Sequence, residues 1–144
     1  MFRSLVLVLL SVLSFTLKDC SNRPQPKVTG PDLVPISKNP DNTLGCAEVG
    51  LNPNQQVVIT VTNQGDADAP ASLTRITFSN VGSTDLNTPA IPAKGSMNLQ
   101  PVPIPNGCGG ANCSATITVN VNGAVPETPS AQQNNSIVCV ARVG

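Results

Sequence analysis

Gln56-Val-Val-Ile-Thr-Val-Thr-Asn-Gln-Gly-Asp-Ala-Asp-Ala69 is the stretch that decides the fold. Val57, Ile59 and Val61 fall on one face of an extended segment, and Val58, Thr60 and Thr62 fall on the other. An unbroken β-branched run, apolar at every second position and closed by Asn63-Gln-Gly-Asp66, reads as a strand entering a tight connection. Working outward, Ala115-Thr-Ile-Thr-Val-Asn-Val121 repeats the pattern, with Ala115, Ile117, Val119 and Val121 on one face. Further strands are expected at Pro31–Ile36, Leu73–Phe78, Ser96–Ile104 and Ile137–Val143. Pro35 confines the first of them to an edge or a bulge, and Pro101 predicts a bulge or a break in pairing. In Leu73–Phe78, Ile76 and Phe78 are assigned inward and Arg75 outward. In Ser96–Ile104, Met97 and Leu99 are placed on one face and Val102 and Ile104 on the other. Asn80 to Pro89 reads as a polar loop with room for a short strand. About seven short strands, frequent turns and no amphipathic helix or internal repeat indicate an all-β, immunoglobulin-like Greek-key sandwich.

Size and composition agree. The chain has 144 residues, 40% hydrophobic but only 2% aromatic, so its core must be built from Val, Ile, Leu and Ala. A domain of roughly 110 residues can bury one such core. Eight basic and eight acidic residues leave zero net charge. With no basic stripe and no aromatic platform, nucleic acid is not an expected partner. The absence of a polybasic cluster also removes the electrostatic reason to sit on an anionic membrane.

The N-terminus reads as an address. Met1-Phe-Arg3 and the apolar run Ser4–Leu17 have a signal-peptide layout, too short for a comfortable span. Residues 1–19 are therefore assigned as signal peptide, 20–30 as a polar, proline-stiffened linker and 31–144 as the domain. Cys20 is a candidate for lipid anchoring, with Leu17 three residues earlier as in bacterial lipoproteins, although Lys18 and Asp19 depart from that motif. An incidental cysteine is the alternative. The expected location is periplasmic or extracellular, with membrane contact only through a lipid at Cys20.

Cys46, Cys108, Cys113 and Cys139 are read as structural disulfides of an exported chain. Four cysteines allow three pairings; the preferred one closes Cys108 on Cys113 across a glycine-softened loop and joins Cys46 to Cys139. A four-cysteine zinc site lacks a second close pair, and the chain has no histidine to substitute. The same absence removes the commonest general base, and no serine sits in G-x-S-x-G. Neither catalytic residues, a metal site nor a cofactor is assigned. Asp66 and Asp68 are read as turn residues, with a calcium site there or in the Asn122–Asn135 loop as the alternative. The glycosylation-like triplets Asn112-Cys-Ser114 and Asn134-Asn-Ser136 are treated as chance.

Four anchors in order carry a family resemblance: Pro31-Asp-Leu-Val34, Ile59-Thr-Val-Thr-Asn-Gln-Gly65, Ile91-Pro-Ala-Lys-Gly95, and Val125-Pro-Glu127 leading to Asn134-Asn135. Over about Pro31–Val140 the chain resembles CARDB modules, the cell-adhesion-related domains of bacteria. The resemblance implies a Greek-key sandwich used as a spacer or adhesive module, with no catalytic residue to carry over. Two extra residues separate Glu127 from Asn134, a glutamine stands where a second glutamate often falls, and Asn122 replaces a frequent aspartate. These departures argue against cation binding by the loop. The asparagine pair is expected to cap backbone groups at the entry to the last strand. The function expected is a non-enzymatic exported module for adhesion, protein–protein binding or spacing, its partner an unknown protein or envelope component. A small-ligand- or calcium-binding protein is the alternative. For the adhesion or spacing module, Asp41–Gly45, Asn80–Pro89 and Cys108–Cys113 are the candidate contact surfaces.

Overall fold

Alternation of β-branched residues drives this chain into short strands, and the computed structural model shows where each one pairs. It describes residues 29–36, 51–108 and 113–140. The signal peptide, the linker up to residue 28, Cys20, Cys46 and the Asp41–Gly45 loop lie outside the described residues. In chain order the strands are β1 (Leu33–Ile36), β2 (Gln56–Val57), β3 (Thr60–Asn63), β4 (Ser72–Phe78), β5 (Gly82–Thr88), β6 (Ser96–Asn98), β7 (Val102–Pro103), β8 (Ser114–Thr118) and β9 (Ser136–Val140). A single turn of 3-10 helix at Ala131–Asn134 precedes β9.

Two layers result. One contains the sheet β1-β3-β6 with its continuation β2-β7, and the other the sheet β5-β4-β8-β9, all antiparallel. Because β2 and β3 are pieces of one run, as are β6 and β7, the chain is an all-β sandwich of the expected strand number. The interruption has a local cause. Val57 pairs with Val102 and Thr60 with Asn98, so Leu99, Gln100 and Pro101 oppose only Val58 and Ile59. The extra residue makes a bulge beside Pro101, which has no N–H to offer the ladder. Leu99 N–H still donates to the Ile59 carbonyl at 2.8 Å.

The bulge corrects one expected face. Leu99 and Val102, assigned to opposite faces, are both buried in the core, because the extra residue between them returns Val102 to the face of Leu99. Met97 keeps that face opposite Val61 but is exposed. Val57, Ile59 and Val61 do share the buried face, meeting Ile76, Phe78, Ala115, Ile117 and Val119 from the other sheet in one core. Residues 80–89 bring the larger correction: they hold the seven-residue β5, in continuous register with β4 from Ser72↔Thr88 to Phe78↔Gly82. Its sequence, Gly-Ser-Thr-Asp-Leu-Asn-Thr, shows no apolar alternation because an edge strand buries little. Only Thr88 at its end is buried, with its hydroxyl on that of Thr74 at 2.7 Å.

Gly65 shows how tightly the ends close. A Cβ there would stand 2.0 Å from the Gly30 carbonyl oxygen and 2.7 Å from Asp32 N. Only a residue without a side chain lets the turn after β3 lie against the start of β1.

Candidate functional site

At one end of the sandwich, polar side chains tie the loops together. Asn63 closes β3 fully buried. Its Oδ1 accepts from Asp32 N and Gly65 N, each at 3.1 Å. Its Nδ2 donates to the carbonyls of Ala67 (2.8 Å), Ile91 (3.1 Å) and Pro92 (3.3 Å). One side chain thus ties backbone groups of three loops together in a buried place where such groups need partners.

Glu127 is the second anchor and is likewise buried. Its Oε1 accepts from Leu33 N at 2.7 Å, and its Oε2 accepts from Asn120 Nδ2 at 2.8 Å and Asn135 Nδ2 at 2.7 Å. Asn120 has a left-handed φ of 54°, and its side chain also brackets Val125, accepting from its N–H and donating to its carbonyl. Asn134 Nδ2 donates to Asp32 Oδ1 at 3.1 Å. The asparagine pair therefore serves carboxylates rather than backbone groups, a correction to the capping role expected of it. The reason is tertiary: Asp32 and Glu127 are brought to the last strand from 102 and 8 residues away.

A cleft of about 490 Å³ opens beside this cluster, lined by Asn120, Glu127, Gln132 and Asn135 among others. The Oδ1 atoms of Asn134 and Asn135 are buried without a hydrogen-bond partner. Among the described residues no three His, Cys, Asp or Glu side chains come close enough to hold a metal ion. Asp66 and Asp68 serve separate loops: Asp66 Oδ1 accepts from Gly30 N at 2.7 Å and Asp68 Oδ1 from Ala93 N at 2.9 Å. Lys94 Nζ donates to the Gln64 carbonyl in the same turn region. The chemistry of this end is that of a clamp.

Cys108 and Cys113 are joined by a disulfide, both buried, with Cα atoms 5.2 Å apart. Ser79, just after β4, binds this loop to the sheet: Ser114 N donates to its Oγ at 3.0 Å, and its own N–H donates to the Ser114 carbonyl at 2.9 Å. Cys139 in β9 is also disulfide-bonded, to a residue outside the described ones.

The accessible apolar surface lies elsewhere. A groove of about 400 Å³ runs beside the start of β5, walled by Phe78, Val81, Val102, Pro103 and Pro105. Val81 is 44% exposed. On the outer face of β5, Asp85 receives both Arg75 Nε (2.6 Å) and a second guanidinium nitrogen (2.8 Å). That hydrogen bond, helped by the guanidinium charge, holds the Asp85 carboxyl below the usual carboxylate range and raises Arg75.

The CARDB family model matches residues 30–138. The chain belongs to the CARDB family. The match begins with the Gly30–Leu33 segment that Asp66, Asn63 and Glu127 hold, and it ends in β9. CARDB is a non-enzymatic domain family. A solved structure similar to this one is the CARDB domain of a Pyrococcus furiosus protein, crystallised in complex with di-metal ions. It is 17% identical, with 86% of this chain and 99% of that chain covered and a TM-score of 0.47. No curated protein matches the chain. Two things escaped the sequence reading: the clamp role of Asn63 and Asn120, and the edge strand β5. For the asparagines a signal existed, since each follows a β-branched run and stands where an amide can replace lost ladder partners.

Proposed function

We propose that this CARDB domain is a non-enzymatic, exported module that binds or spaces other proteins at the cell envelope or outside it. One observation carries the reading: Asp32, Asp66, Asp68, Asp85 and Glu127 each hold a backbone N–H or another side chain of the fold. That arrangement supplies rigidity and no free acid–base pair, while an apolar groove and a sheet edge lie open. The disulfide between Cys108 and Cys113 supports an oxidising location, since such bonds are rare in the cytosol. The domain is read as residues 31–144, behind an export signal and a short linker, with Cys20 as the candidate lipid attachment point and Cys46 as the partner of Cys139.

Fractionated cells test this. Intact mass before and after reduction is expected to show a processed chain in the exported fraction that gains one hydrogen per bonded cysteine. In-cell crosslinking is expected to join it to envelope or extracellular proteins. A full-length, reduced chain confined to the cytoplasm, without crosslinks, overturns the proposal.

A further inference from the structure

Among the described residues the longer sheets end in β1, β6, β5 and β9, and three of these carry a feature that hinders an added partner. β1 carries Pro35 and β6 is only three residues long. β9 carries Cys139, which is disulfide-bonded. β5 differs: seven residues, no proline, no lysine, no bulge, and β4 as its only described neighbour. Edges of this length normally carry such blocks, because their unpaired N–H and C=O groups recruit another strand. Its single charge, Asp85, is bonded by Arg75 from β4 yet stays 38% exposed at the edge.

The core-facing side of β5 adds a socket. Gly82 and Thr84 lie opposite the buried Phe78 and Ile76, so they share the inward face, yet both are exposed. There β5 overhangs the opposing sheet, and the apolar groove lies beneath the overhang. A strand added to β5 would drop the side chains opposite Gly82 and Thr84 into it, since alternate side chains of a strand share one face.

We infer that the β5 edge and its groove form a docking site for an extended segment of a partner protein, apolar at alternate positions and basic where it faces Asp85. Charge selects this occupant over a second copy of the chain. Full-length antiparallel pairing of β5 with itself sets Asp85 directly against Asp85, and like charges so placed repel. Main-chain hydrogen bonds supply affinity and the groove supplies selectivity. This site rests on the binding reading above and names the surface that performs it.

The probe is the acetylated, amidated peptide Val-Thr-Val-Lys-Val-Thr-Val, which reads alike in both directions. Added to the full ¹⁵N-labelled protein, it is expected to shift the Gly82–Thr88 amides and to protect those of Ser83, Asp85 and Asn87, which point away from β4. Replacing its second and sixth residues by proline is expected to weaken binding about tenfold or more, since the N–H groups of those residues face the β5 edge and are lost. Val81→Asp, at an exposed groove wall that folding does not need, is expected to weaken the parent peptide as well. The site is overturned if shifts fall on Ser136–Val140 instead, or if none occur at millimolar peptide. It is equally overturned if the outward Ser83, Asp85 and Asn87 amides are already protected in the free monomer, or if β5 pairs with a second copy on concentration alone. In cells, crosslinks that persist in Val81→Asp remove this site and leave the module reading intact; a wild type without crosslinks removes the reading itself.

Discussion

Glu127 shows what one residue can do for a core almost without aromatics. Its two oxygens accept three N–H groups from β1, the end of β8 and the entry to β9. Glu127→Gln keeps the shape but turns one acceptor into a donor, which must then face Leu33 N–H or the two amide donors. The expected loss is about 2–4 kcal/mol, typical when a buried charged acceptor is replaced and donors lose their partner. Urea unfolding checks it: the midpoint falls with the slope unchanged. Ser72 is the opposite case. Its Oγ is buried with no partner, so Ser72→Ala removes an unsatisfied hydroxyl and is expected to stabilise by about 1 kcal/mol. For a domain of this size that raises the melting midpoint by about 4 °C in calorimetry.

At the scale of elements, β5 and the β6–β7 run teach the same lesson from two sides. The bulge at Leu99–Pro101 was legible because proline announces itself, whereas β5 was not, because an exposed edge has no buried face to pattern. Its register is set by β4, in part through the Arg75–Asp85 pair across the two strands. That pair gives a signed pH dependence. Asp85 titrates lower folded than unfolded, so its contribution is present above the ordinary carboxylate pKa and is lost as pH falls through the depressed folded value. A ¹³C titration is expected to place the Asp85 midpoint higher in Arg75→Gln than in the wild type. Added salt should shrink the difference, since both groups face solvent.

Over the whole molecule, covalent bonds supplement an aliphatic core. The Cys108–Cys113 bridge closes a short loop, with a sequence separation of 5. Loop entropy assigns it about 2 kcal/mol. Cys108→Ser combined with Cys113→Ser is therefore expected to lower stability by about that amount in denaturant unfolding, and adding reductant to this variant should lower it further by opening the Cys139 bond. Ser79 gains a separate role here, because it fastens the bridged loop to the turn between β4 and β5. The groove proposed as a docking site adjoins that turn, so the bridge also steadies one of its walls.

Period-two runs such as Gln56–Thr62 and Ala115–Val121 determined the sandwich class from sequence alone, because burial on one face must appear as alternation along the chain. The anchors at Pro31–Val34, Asn63–Gly65 and Glu127 also carried the family, since each residue type suits a tight contact. Tertiary structure alone decided what those residues touch. Asp32 and Asn134 are 102 residues apart in the chain and hydrogen-bonded in the fold, and no local pattern encodes a pairing made across two sheets. The same holds for β5, whose open edge is defined by its neighbours and not by its own residues.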